Sequence, residues 1–131
     1  MSNETLARYW MTLVGVTLVA VGILGFFGNP LVGPQGLVAT GTLHNIVHLA
    51  TGGLALAIAL GTQGSALAMG TILFGLAYGL VFVVTVIDPS LFGLFEVPVN
   101  AIDHVIHIGV AAVSVALGLM ARGSAPAMAA R

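Results

Sequence analysis

The chain has 131 residues, 59% of them hydrophobic and 5% charged, with a formal net charge of −1. Soluble domains carry about 25% charged residues, so this composition excludes a soluble globular protein and points to one small membrane bundle. Three Arg (Arg8, Arg122, Arg131) and no Lys leave no basic patch for nucleic acid, and zero Cys removes disulfides, thiolate metal sites and thiol nucleophiles.

A helix needs about 20 apolar residues to cross the hydrocarbon core. The first such stretch, 8–28, stops at Gly28-Asn29-Pro30, with Tyr9 and Trp10 at its start where an interfacial aromatic belt would sit. It is too long for a signal peptide and lacks the basic start and small-residue cleavage site of one. The second, 41–61, runs into Gly61-Thr62-Gln63-Gly64. The third, 66–87, stops at Asp88-Pro89, and the fourth, 99–121, begins after Pro98 and ends at Arg122. Pro and Gly punctuate every boundary, as helix stops require. The expected fold is therefore all-α, an integral membrane four-helix bundle, with 1–131 as a single transmembrane domain.

Four spans put both termini and the middle loop on one side. All three Arg fall there, while the loops near 28–40 and 88–98 hold only Asp88 and Glu96. The positive-inside rule then places both termini in the cytoplasm and those two loops outside.

A shift of 59 aligns the halves without a gap. Pro30 falls on Pro89, Asn29 on Asp88, His48 on His107, Leu60 on Leu119, and Gly64 to Met69 on Gly123 to Met128. The sequence thus reads as two tandem two-helix repeats, about 8–65 and 66–124. Both copies insert with one polarity, which implies a pseudo-two-fold axis along the membrane normal.

That shift relates two polar windows, Leu43-His44-Asn45-Ile46-Val47-His48 and Ile102-Asp103-His104-Val105-Ile106-His107, which hold all four His of the chain. Residues at i and i+4 share a helix face. His44 and His48 therefore face together from the second helix, and Asp103 and His107 from the fourth. Asn45 and His104 point about 100° away, toward a neighbouring helix. If the two faces meet, three imidazoles and one carboxylate converge inside the outer half of the bundle.

The strings Leu43-His44-Asn45-Ile46-Val47-His48-Leu49-Ala50-Thr51-Gly52 and Val99-Asn100-Ala101-Ile102-Asp103-His104-Val105-Ile106-His107 resemble the DUF4383 family of small bacterial membrane proteins. Its members look like four-span chains with an LHNxxHxxxG segment in the second span and a DNxxH-like segment in the fourth. The resemblance covers nearly the whole chain and implies the architecture, the polar site and a bacterial inner (cytoplasmic) membrane, but no activity. The sequence departs at His104, where the family more often has Asn.

Four readings of the site stay open. Neutral His and Asn can join helices in an interhelical hydrogen-bond network, the role expected of a structural membrane subunit. That reading accounts less well for a buried Asp, which ionises only beside a cation. A divalent metal (Zn, Fe or Cu) supplies that cation, with His44, His48, Asp103 and His107 as ligands. Asn45, His104 and Asn100 then orient those ligands by hydrogen bonds. The third reading is haem b, ligated by His48 and His107 with Gly52 and Ala111 making room for the ring. Against it, no outer Arg or Lys meets the propionates. The fourth is a proton relay through His and Asp.

The remaining features read as structure. Gly75 and Gly79, with Gly15, Gly22 and Gly25 in the first span, let helices approach closely or support a homo-oligomer contact. Tyr78 reads as a packed core residue, and Glu96 as solvated. Partners are the lipid bilayer and, beyond it, a larger membrane complex. Nothing in the sequence supports a hydrolase or nucleotide site, and whether the chain is an enzyme stays open.

Overall fold

Ser2 starts the first helix: its side chain accepts from the Thr5 amide at 3.1 Å, so α1 runs Asn3–Leu24, five residues earlier than the apolar run suggests. The computed structural model describes residues 1–123. The block 124–128 of the alignment, the tail after it and Arg131 lie outside the described residues. The order is α1, β1 (Val32–Gly33), β2 (Val38–Ala39), α2 (Thr42–Gly61), α3 (Gly64–Ile87) and α4 (Ala101–Gly123). All four helices are long and apolar enough to cross a membrane. The shortest, α2 with 20 residues, is about 30 Å long, the thickness of the hydrocarbon core.

The α1–α2 connection carries a short two-stranded pairing that the apolar pattern did not announce: β1 and β2 run in parallel, Val32 with Val38 and Gly33 with Ala39. Asn29 organises its start. The side-chain amide donates to the carbonyls of Leu24, Phe27 and Val32, and Oδ1 accepts from the amides of Leu31 and Val32. These bonds take up backbone groups left free where α1 ends at Leu24 rather than at residue 28.

The opposite end is tied by two charges. Arg8 pairs with Glu4 at 3.3 Å and donates to the carbonyls of Ala59 and Thr62, the last of these at 3.0 Å. Glu4 accepts from the Gly64 amide at 3.0 Å. A cation thus meets the orphan carbonyls of α2 and an anion the orphan amides of α3, the favourable sign at each helix end.

Helix α1 packs most extensively along α2, and α3 along α4. Glycine permits both contacts: a Cβ on Gly52 would lie 2.8 Å from the Val19 nitrogen and 2.9 Å from the Gly15 carbonyl oxygen, and one on Gly75 would lie 2.8 Å from the Ala111 carbonyl oxygen. Met11, Val14, Leu18, Ala55, Phe74 and Tyr78 fill the space between the hairpins. Trp10 belongs with them rather than with an interfacial belt; it is half-buried, and its indole N–H donates to Ser114 Oγ at 2.8 Å. Large apolar side chains such as Leu13, Leu73, Leu76 and Leu80 face outward, as lipid contact requires.

Burial has its own register. The buried residues His44, His48, Gly52, Ala55 and Ala59 of α2 have counterparts 59 positions on, at Asp103, His107, Ala111, Ser114 and Gly118 of α4. In α1 and α3 the spacing is 60: Ala7, Met11, Val14, Gly15 and Leu18 correspond to Leu67, Thr71, Phe74, Gly75 and Tyr78. A spacing of 59 would set buried Ala7 and Val14 on exposed Ala66 and Leu73.

Candidate metal centre

Helix α2 carries His44 and His48 one turn apart on its buried face, with ring centroids 4.3 Å apart. His107 reaches them from α4, its centroid 6.2 Å from that of His44. His48 is six residues beyond Thr42 and His107 six beyond Ala101, so each lies about 9 Å along its helix. All three rings are buried. Each offers a ring nitrogen, and these nitrogens lie within 4.8 Å of one another. Tetrahedral zinc, with Zn–N bonds of about 2.0–2.1 Å, sets its nitrogens about 3.4 Å apart.

One tautomer is fixed by its partner. His44 Nδ1 lies 3.1 Å from the Pro98 carbonyl oxygen, which can only accept, so Nδ1 carries the proton and Nε2 keeps its lone pair. A backbone carbonyl in this position is the usual orienting partner of a metal-bound imidazole. Nδ1 of His48 and of His107 is buried without a hydrogen-bond partner.

Asp103 is buried as expected, but its carboxylate is engaged elsewhere. Oδ2 accepts from the Asn100 amide at 2.7 Å and from the Ala39 amide at 3.1 Å. Among the described residues, the group able to hold an ion is His44, His48 and His107, without Asp103. The cause is local: Asp103 stands in the first turn of α4, where free amides and the helix dipole attract a carboxylate. The buried charge that seemed to require a metal is met by backbone N–H groups.

The neighbouring polar residues turn away from the triad. Asn45 packs against α1 at Gly22 and Gly25, with its Oδ1 buried and unpartnered. His104 is half-buried and stands edge-on to Phe82 of α3, with centroids 6.0 Å apart. Asn100 caps α4, its Oδ1 accepting from the Ile102 and Asp103 amides, and its Nδ2 donates to the Leu37 carbonyl at 3.0 Å.

A cavity of about 330 Å³ opens beside the triad, where α2 meets α3 over only a short stretch. His44, His48 and His107 line its polar end, and Val81, Val84 and Leu91 belong to its apolar wall. Thr51 and Tyr78 line it too, their hydroxyls 3.2 Å apart. Tyr78 stacks on Phe74 at 4.8 Å, as a core residue would, yet its ring also stands 5.8 Å from that of His107. The sequence held one hint of this, since Thr51 is three residues after His48 and shares its side of α2.

Residues 8–120 match the DUF4383 family, described as a domain of unknown function. The chain belongs to the DUF4383 family. No curated protein and no solved structure matches it. Both polar windows lie inside the matched span, so the triad and its cavity belong to the DUF4383 region of the chain.

Proposed function

We propose that this DUF4383 protein binds one divalent metal ion, Zn, Fe or Cu, through His44, His48 and His107. The observation that carries the reading is the convergence of three buried imidazoles from two helices with their nitrogens within 4.8 Å. Burying the Nδ1 atoms of His48 and His107 without polar partners is costly, and an ion that accepts a lone pair from each ring offsets that cost. Three neutral imidazoles leave one position open, the arrangement of reactive rather than purely structural zinc sites. Asp103 stays in its cap.

An ion is favoured over haem b because the His44 ring lies against both His48 and His107. A macrocycle between those two axial ligands would need that space. Metal analysis and an absorbance spectrum of the purified protein test the reading. Stoichiometric metal without a Soret band is expected. A Soret band would replace the ion with haem, and neither signal would leave a structural subunit of a larger membrane complex.

The site belongs, in this reading, to a bacterial inner-membrane protein with cytoplasmic termini, on the strength of Arg8 and Arg122 at one end and Asp88 and Glu96 at the other. A tandem duplication about a pseudo-two-fold is supported by the matching burial of α2 with α4 and of α1 with α3. The change of spacing from 60 to 59 corresponds to one residue lost from the second long connection.

A further inference from the structure

The cavity beside the triad is not needed to hold an ion. Its volume, about 330 Å³, lies in the range of small-molecule pockets, about 300–1,000 Å³. We propose that it takes a neutral lipophilic phenol or quinol, admitted from the bilayer between α2 and α3, with its hydroxyl group between the histidines and Tyr78. This rests on the metal reading only in that a bound ion would offer its open position to the same oxygen.

Three observations select that class. The first is charge. No Lys or Arg lines the cavity, and Arg8 is held at the far end by Glu4, Ala59 and Thr62. In the metal-stripped protein a carboxylate or phosphate headgroup would be buried there without a counter-charge.

The second is hydrogen-bond accounting. Thr51 Oγ1 donates to the Val47 carbonyl at 2.8 Å, so it accepts the Tyr78 proton across their 3.2 Å contact. Tyr78 oxygen is left with an acceptor lone pair at the cavity wall. A ligand O–H satisfies it; an alkane or an ether does not.

The third is shape and access. The walls near the polar end are rings, His48, His107 and Tyr78, against which an aromatic ring packs edge or face. Apart from Thr51 and Thr85, whose hydroxyls donate to backbone carbonyls of their own helices, the remainder is aliphatic, and Leu80 and Val81, which also line the cavity, are exposed on the lipid-facing side of α3.

The test is calorimetric titration of detergent-solubilised protein, metal-loaded and metal-stripped, with a decyl-substituted hydroquinone, decanoate and decane. Saturable 1:1 binding of the hydroquinone is expected in both forms, with decane competing in neither and decanoate not competing in the metal-stripped one. Leu80→Trp and Val84→Phe, which fill the cavity from its wall, should each weaken binding roughly tenfold, a loss of about 1.4 kcal/mol, with metal content unchanged. Tyr78→Phe should weaken it while leaving the cavity open. No hydroquinone binding, equal binding of decane, or indifference to both filling variants overturns the proposal. The two readings fail separately: metal without hydroquinone binding sinks this one alone, and hydroquinone bound by a protein that takes up no metal sinks the other.

Discussion

Asn100 and Asp103 cap each other. Asn100 Oδ1 accepts from the Asp103 amide at 3.1 Å, and Asp103 Oδ2 accepts from the Asn100 amide at 2.7 Å, closing a reciprocal box at the start of α4. The same carboxylate oxygen reaches the Ala39 amide, so the cap also fixes the α1–α2 connection onto α4.

Removing that box should cost stability and spare the metal. Asp103→Ala and Asn100→Ala should each destabilise the protein by about 1–2 kcal/mol, read by denaturant unfolding in micelles. Metal content should stay at the wild-type ratio in both. Loss of metal from a folded Asp103→Ala protein would return the carboxylate to the ligand set.

The tight α1–α2 crossing predicts opposite effects at two adjacent glycines. A methyl on Gly52 meets backbone atoms of α1 that cannot swing aside, whereas one on Gly53 meets nothing within 4 Å. Gly52→Ala should therefore cost about 1–3 kcal/mol. Gly53→Ala should be neutral or stabilise by up to about 1 kcal/mol through helix propensity. Thermal unfolding of the two variants side by side checks this.

The α3–α4 connection should loosen in acid. The Ser90 hydroxyl, with the Ser90 and Phe92 amides, holds the Asp88 carboxyl below the ordinary carboxylate range. A depressed native value means that the stabilisation is complete above the unfolded carboxylate range and is lost as pH falls through the native value. Asp88 also closes the turn in which Leu91 and Phe92 take left-handed backbone angles, φ 49° and 61°. Hydrogen exchange at the Phe92 amide, relative to its intrinsic rate, should accelerate across that acid range, and Asp88→Asn should flatten the response.

Topology is tested by single cysteines. With cytoplasmic termini, a cysteine at Gly33 should react with an impermeant reagent from outside intact cells, and one at Ser65 should not. The reverse pattern would invert the protein in the membrane.

The sequence made the four spans legible because lipid leaves only long apolar helices as a solution. Their ends were less legible: α1 begins at a Ser2 cap ahead of its apolar run, and α4 begins at Ala101, behind its Asn100 cap, rather than at residue 99. The triad could be read because the i,i+4 spacing fixes which side chains share a face. The engagement of Asp103 could not, because its second donor, Ala39, is 64 residues away and meets it only in the folded chain. The cavity was invisible for a related reason: periodicity says which face is buried, not how far α2 stands from α3. Asn29 and Asp88 were paired by the alignment, and each does accept from the amide two residues on, at 2.9 and 2.8 Å.

The central claim is that three imidazoles hold one ion, and X-ray absorption of zinc-loaded protein addresses it most directly. Three nitrogen scatterers with imidazole outer shells at about 2.0–2.1 Å are predicted. His48→Ala and His107→Ala should remove the signal, and His104→Asn should keep it. A spectrum dominated by water or carboxylate oxygen, or one unchanged when His48 and His107 are removed, would contradict the account.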